Sequence, residues 1–253
     1  MKFIQHYADA ALRCGDQADL IDPRHIERRR RHQQRMKTAV DHGTWVESGW
    51  CEPFTQKFVE AVQGSRVFVD VGAELGFYSY LASKLMPPGG KIIAIEPDPL
   101  HCDLLRSLFE GDRNVEIVPA AASDKPATIM LVKPPGCSTT AAEVEGRRFE
   151  TRTVVLDDLL SDVGADVMKI DVEGAEASVF NGMRRLLSGG SLRIFWEFHP
   201  WIDDVRPGGV QLIDRLLAGA AYRVYRVDRN QYVPPARLGG QMYLEPASRG
   251  CEP

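Results

Sequence analysis

The sequence is short of what a disulfide framework, a membrane span or a polyanion site requires. Its five cysteines, Cys14, Cys51, Cys102, Cys137 and Cys251, are odd in number, scattered and without a Cys-x-x-Cys pair. That pattern excludes a disulfide-stapled fold, indicates no zinc site, and reads as reduced thiols in a cytoplasmic protein. No apolar run reaches the ~20 residues that span a bilayer, and the opening MKFIQHYADAALRCGDQADL lacks the apolar stretch of a secretory signal. A soluble chain with no membrane partner is the expectation. The net charge is also small, −4 from 31 basic and 35 acidic residues. No basic surface for nucleic acid is expected, and a homo-oligomer stays open.

What is present is enough for one sizeable core: 253 residues, 44% hydrophobic and 26% charged. The first ~60 residues stand apart, rich in Arg, His and Gln and poor in strand formers, and read as a helical N-terminal appendage (1–60). The run Arg28-Arg29-Arg30-Arg31 within it reads as a solvated helix face with no catalytic role. Residues 61–253 read as one α/β domain, because from Arg66 short apolar runs alternate with helical patterns. Candidate strands are Val67–Val69, Lys91–Ile95, Val115–Val118, Asp166–Ile170 and Leu192–Trp196. Helices are expected at Phe77–Leu85, Leu100–Phe109 and Ala175–Leu187. A small β insertion at about 125–156 should pair Ala127–Val132 with Thr153–Leu156, and Tyr222–Val227 and Gln241–Leu244 should close the sheet.

Three segments carry chemistry. In Val67-Phe68-Val69-Asp70-Val71-Gly72-Ala73-Glu74-Leu75-Gly76, a strand ends in Asp70 and turns through Gly72 and Gly76 into a helix. The glycines permit a tight turn and close approach of a ligand, as in nucleotide loops. Glu96 follows the second strand, 20 residues after Gly76, where a carboxylate can accept hydrogen bonds from both ribose hydroxyls of an adenosine. A dinucleotide site prefers glycine where this chain has Glu74, and a carboxylate there repels a pyrophosphate. S-adenosylmethionine (SAM), an adenosine carrying a cationic sulfonium and no phosphate, suits such a site better.

The second segment, Lys169-Ile170-Asp171-Val172-Glu173-Gly174-Ala175-Glu176, lies at the end of the fourth main strand, where ligands of open α/β sheets bind. Lys169 and Asp171 should share a side, and a structural salt bridge between them stays open. Glu176 is expected to complement the positive end of the next helix. In the third segment, Trp196-Glu197-Phe198-His199-Pro200-Trp201, Glu197 and His199 share a side. His199 could act as a general base or pack on Trp201. Asp171, Glu197 and His199 could also bind a divalent cation, although their spacing is not diagnostic. The candidate catalytic residues are therefore Asp171, His199, Lys169 and Glu173.

The segments VFVDVGAELGFYSYLA, IIAIEPDP, EIVPAAASD, TVVLDDLL, DVMKIDVEGAE and FWEFHP, in this order and spacing, resemble the FkbM family of SAM-dependent methyltransferases over roughly residues 50–200. The resemblance implies a Rossmann-like class I methyltransferase fold with a mainly parallel seven-stranded sheet flanked by helices. It also implies O-methylation of a sugar or similar small acceptor. It implies SAM contacts at Gly72, Ala73, Gly76, Ser79 and Glu96, with Ala122, Ser123 and Asp124 near the adenine and Asp171 by the methyl. Asp70, Glu74 and Pro97 adjoin these positions, and Glu52 matches an acid-proline step before the family's first helix. The family more often has Asn at position 74. Methylation of nitrogen, protein or RNA, non-catalytic SAM binding and an NAD-dependent oxidoreductase stay open as alternatives.

Overall fold

A computed structural model describes residues 23–46, 52–133, 147–227, 231–232 and 240–247. The opening segment, the tip of the insertion, and Cys14, Cys51, Cys137 and Cys251 lie outside the described residues. Cys102 is a buried free thiol whose sulfur donates to Glu96 O at 3.0 Å, and burial pushes its pKa up to about 12. No helix among the described residues is long and apolar enough to cross a membrane.

The elements are α1 (Pro23–Asp41), α2 (Thr55–Val62), β1 (Val67–Val71), α3 (Phe77–Leu85), β2 (Lys91–Glu96), α4 (Pro99–Leu108), β3 (Val115–Pro119), β4 (Ala121–Ser123), β5 (Thr128–Lys133) and β6 (Arg147–Val155). There follow α5 (Leu156–Leu159), β7 (Val167–Ile170), α6 (Glu176–Asn181), α7 (Arg184–Ser188), β8 (Arg193–Phe198), α8 (Ile202–Val205), α9 (Gly209–Gly219), β9 (Tyr222–Arg226), β10 (Gln231–Tyr232) and β11 (Gly240–Pro246). The main sheet runs β10-β9-β11-β8-β7-β1-β2-β3. Strands β3, β2, β1, β7 and β8 pair in parallel, while β11 is antiparallel to both β8 and β9. This is the expected class I methyltransferase sheet of seven strands, with the two-residue β10 added at one edge.

The strand β1 is buried on both faces: Val69 and Val71 join one hydrophobic cluster with Phe180, Leu187 and Ile213, while Phe68 joins a second with Phe58, Leu81 and Leu105. Helices thus cover both faces, which is what near-continuous apolar strands demand. The chain winds from β1 outward to β3 in one direction and from β7 outward in the other. The switch point between β1 and β7 is where open α/β sheets form a ligand crevice. Helices α1 and α2 share this core, with Met36, Val40, Phe54 and Phe58 packed in the second cluster.

Two expectations need correction. The segment expected as one helix over 175–187 breaks at Gly182, whose hypothetical Cβ would lie 2.2 Å from Ser123 O. The chain must turn there to clear the β4 backbone. In the insertion, β5 pairs antiparallel with residues 147–152, not 153–156, from Thr128↔Arg152 to Lys133↔Arg147. Residues Thr153–Val155 instead pair in parallel with β4.

Candidate active site

The loop after β1 is built by its glycines. Gly72 (φ +83°) donates to Ile95 O at 2.9 Å and passes so close to β7 that a Cβ would sit 1.8 Å from Asp171 O. Gly76 (φ +87°) opens α3, and a Cβ there would meet Leu105 at 2.6 Å. Between them Ala73 is buried, and Glu74 adopts a left-handed φ of 48° although it is not glycine. Its backbone amide donates to Glu96 Oε2 at 2.9 Å, and Glu96 Oε1 accepts from Asp98 N at 2.9 Å. Oε1 also faces His101 Nδ1 at 3.6 Å, while Oε2 keeps a second lone pair for a ligand hydroxyl. Pro97 is half-buried beside it.

The arginine run behaves as expected at Arg28, Arg30 and Arg31, which are exposed, but not at Arg29. Arg29 is buried, and its Nη1 lies 3.1 Å from Glu74 Oε1, while Gln33 Nε2 donates to Leu75 O at 3.0 Å. Residues 29, 33, 36 and 40 lie on one face of α1, so the polar pair reaches the loop from the helix's core side.

Beneath the loop lies an acid-rich cluster around one lysine. Asp70 is buried and accepts from Ser79 N at 3.1 Å and Ser79 Oγ at 2.7 Å, leaving its Oδ1 without a hydrogen-bond partner. Ser79 is itself fully buried, so its hydroxyl is spent on Asp70. Lys169 Nζ donates to Asp171 Oδ2 at 3.0 Å and lies 5.2 Å above the Tyr78 ring, so the expected salt bridge is present. Burial favours the neutral amine, but the carboxylates of Asp171, Glu52 and Asp70 outweigh it and raise the Lys169 pKa. Glu52 is raised by burial, and its Oε2 is buried without a hydrogen-bond partner. Glu197 is pushed up to about 7 by burial and by the negative charges of Asp171 and Glu52.

His199 completes the other end. It is buried, packs against Trp201 with the rings tilted by 45° at a centroid distance of 5.0 Å, and hydrogen-bonds through Nδ1 to Glu176 Oε1. Its Nε2 faces Glu173 Oε2 at 3.5 Å and Asp171 Oδ1 at 3.8 Å. Burial opposes protonation, yet the carboxylates of Glu176, Glu173 and Asp171 prevail and raise the His199 pKa. Glu176 does sit in the first turn of α6, but it is wholly buried and faces the histidine, more than a complement to the helix end. Nothing in the sequence links the two, since 23 residues separate them. Among the described residues, Asp171, Glu173 and His199 place ligand atoms within 4.8 Å of one another, and Glu197 falls outside that group.

The expected adenine-side residues lie on β4 and just after it. Ala122 is buried and Ser123 half-buried. Asp124 accepts from Asn181 Nδ2 at 2.7 Å and Arg206 Nη1 at 2.6 Å. Burial pushes its carboxyl up, but Arg206 and Asn181 outweigh that and hold it below its ordinary value.

The strand order and the glycine loop define a class I methyltransferase scaffold. Within that class, a profile of the "Methyltransferase FkbM domain" matches residues 70–226, more than half of the chain, and the protein belongs to this family. Its fold is similar to a methyltransferase FkbM from Methylobacillus flagellatus KT, at 18% identity and a TM-score of 0.48, over 71% of this chain and 43% of that one. The chain therefore spans less than half the length of that neighbour. It is similar also to a putative O-methyltransferase from Klebsiella pneumoniae (14% identity, 96% and 98% covered, TM-score 0.46). A third is an O-methyltransferase from Bacillus cereus in complex with SAH (16% identity, 87% and 98% covered, TM-score 0.46). No curated protein matches the chain.

Proposed function

We propose that the chain transfers the methyl group of SAM to a hydroxyl of a small-molecule acceptor, a sugar or a similar natural-product-like compound. One observation carries the cofactor assignment: carboxylates ring the β1 and β7 tips, and two of their buried oxygens, Glu52 Oε2 and Asp70 Oδ1, lack donors. That donor-poor, acid-rich lining fits a ligand carrying a sulfonium and an ammonium, and disfavours a pyrophosphate. When bound, SAM supplies an electrophilic methyl group that passes to a nucleophile by direct displacement.

The chain's own residues do the rest. Gly72 and Gly76 hold the tight turn that, with Ala73, presents the loop backbone to the cofactor, and Glu96 accepts the ribose hydroxyls. Asp70, Asp171 and Glu52 favour its cationic end, while Ala122, Ser123 and Asp124 border the adenine. The acceptor hydroxyl lies against Asp171, Glu173 and His199, through which its proton leaves. Alignment supplies most of the acceleration, and assistance in moving the proton adds on the order of 10² to 10⁴.

Titration calorimetry with SAM tests the cofactor assignment. Saturable binding that Glu96→Ala weakens by about 10- to 150-fold is expected, since a hydrogen bond to a charged group contributes about 1.5–3 kcal/mol. Unchanged affinity in that variant would refute it. Formation of S-adenosylhomocysteine across a panel of hydroxyl, amine, peptide and RNA acceptors then tests the acceptor class.

A further inference from the structure

The geometry points to a divalent-cation site of the magnesium or manganese class, formed by Asp171, Glu173 and His199 Nε2 at the acceptor end of the crevice. Its placement at that end rests on the methyltransferase reading; the cation site itself does not. Three observations converge. First, the three ligand atoms lie within 4.8 Å of one another. Bonds of ~2.1–2.2 Å to a common octahedral ion would place them roughly 3–4.4 Å apart.

Second, the Nε2 to carboxylate distances of 3.5 and 3.8 Å exceed those of an imidazole N–H that donates to oxygen, about 2.7–3.2 Å. The ring faces two carboxylates without closing a normal hydrogen bond on either. Third, the opposite ring nitrogen is already committed. Nδ1 is hydrogen-bonded to the buried carboxyl of Glu176, which fixes the ring so that Nε2 is the nitrogen facing Asp171 and Glu173. A buried carboxylate behind an imidazole is the arrangement that orients metal-bound histidines.

The surroundings hold this geometry. Trp201 Nε1 donates to Glu173 O at 3.0 Å, and Gly174 has no side chain where a Cβ would meet Trp201 at 2.6 Å. The Lys169 ammonium binds Asp171 Oδ2, while Oδ1 is the oxygen that faces His199. Two carboxylates with one imidazole are an oxygen-rich set, which suits Mg²⁺ or Mn²⁺ better than a thiolate-seeking metal. Glu173 is exposed, so the remaining coordination positions open to water or to paired oxygens of an acceptor. A cation there would orient the acceptor hydroxyl and lower its pKa. Glu176 is then a positioning residue.

Titration of the full chain with Mn²⁺ alone, followed by the electron paramagnetic resonance of the free ion, reads the site without turnover. One saturable site is expected. Glu173→Gln alters an exposed side chain and should weaken Mn²⁺ binding at least tenfold with an unchanged circular dichroism spectrum. Glu176→Gln should weaken it roughly 10–100-fold, the usual effect of losing an outer-shell partner. The remote surface variant Glu116→Gln should bind as wild type. Absence of saturable binding below about 1 mM, or wild-type affinity in Glu173→Gln, overturns the assignment. SAM calorimetry in the presence of a chelator bears on the methyltransferase reading alone, so the two failures are distinguishable.

Discussion

Gly72→Ala is the sharpest perturbation of the loop, because two separate penalties coincide there. At φ +83° an alanine pays the left-handed cost of about 1–2 kcal/mol. Its Cβ would also stand 1.8 Å from the Asp171 carbonyl oxygen, which is backbone and cannot swing away. Parting the β1 and β7 tips adds an overpacking cost of about 1–3 kcal/mol, for roughly 2–5 kcal/mol in total. Gly89 provides the control: φ is +81°, yet nothing lies within 4 Å of its hypothetical Cβ. Gly89→Ala should therefore cost only the conformational ~1–2 kcal/mol. Any loss of unfolded-state entropy on replacing glycine is common to both variants and cancels in the comparison. At about 2–4 °C per kcal/mol for a chain of this size, thermal melts should place Gly72→Ala several degrees below Gly89→Ala. Equal melting temperatures would refute the close contact between the loop and β7. The same variant should lose SAM affinity, because the displaced strand tips carry Asp70 and Asp171.

Four further outcomes are expected. Arg29→Ala should weaken SAM binding about two- to fivefold while the fold persists, because a partly exposed ion pair to Glu74 contributes about 0.5–1 kcal/mol; calorimetry on Arg29→Ala, Glu74→Ala and the double variant should show non-additivity. Lys169→Met should destabilise the chain by about 3–5 kcal/mol in chemical denaturation, by leaving buried carboxylates uncompensated. Asp124 has a depressed folded-state pKa, so its stabilising effect is present above the ordinary aspartate pKa and is lost as pH falls through the folded value. Acidification below about pH 4 should therefore lower the melting temperature of wild type more than that of Asp124→Asn. Gly174→Ala should displace Trp201, read as a change in tryptophan fluorescence, since its Cβ would lie 2.6 Å from that ring.

The parallel strands and α3 were legible because their apolar runs are bounded by glycine turns, and α3 spans Phe77–Leu85 as the periodicity predicts. Tertiary crowding hid the rest. The apolar stripe over 175–187 is continuous in sequence, and only the approach of Ser123 O to Gly182 forces the break. In β6 the segment Arg147–Arg152 is too charged to read as a strand, although Phe149 and Thr151 alternate inward with exposed neighbours. At the site, the spacing of Gly72, Gly76 and Glu96 was readable because it follows from one βαβ unit. Arg29 and Glu176 were not. Each becomes meaningful through a partner 45 or 23 residues away, and both look locally like ordinary helix charges.

Backbone strain separates the two halves of the site and ties them to the same physical logic. Among the described residues, three non-glycine positions have positive φ, and two of them, Glu74 at 48° and Glu173 at 53°, lie in the loops after β1 and β7. A left-handed conformation costs an L-residue of the order of 1–2 kcal/mol, so each must be held from outside. Different clamps do this. Glu74 is held by its amide on Glu96 and its carboxylate on Arg29, whereas the carbonyl of Glu173 is held by Trp201. Relaxing either glutamate would swing a carboxylate away from the switch point, the first from the cofactor side and the second from His199. The strain is thus located where the proposed cofactor and acceptor meet, and each glutamate is secured by an element outside the parallel strands: α1 for Glu74, and the turn before α8 for Glu173.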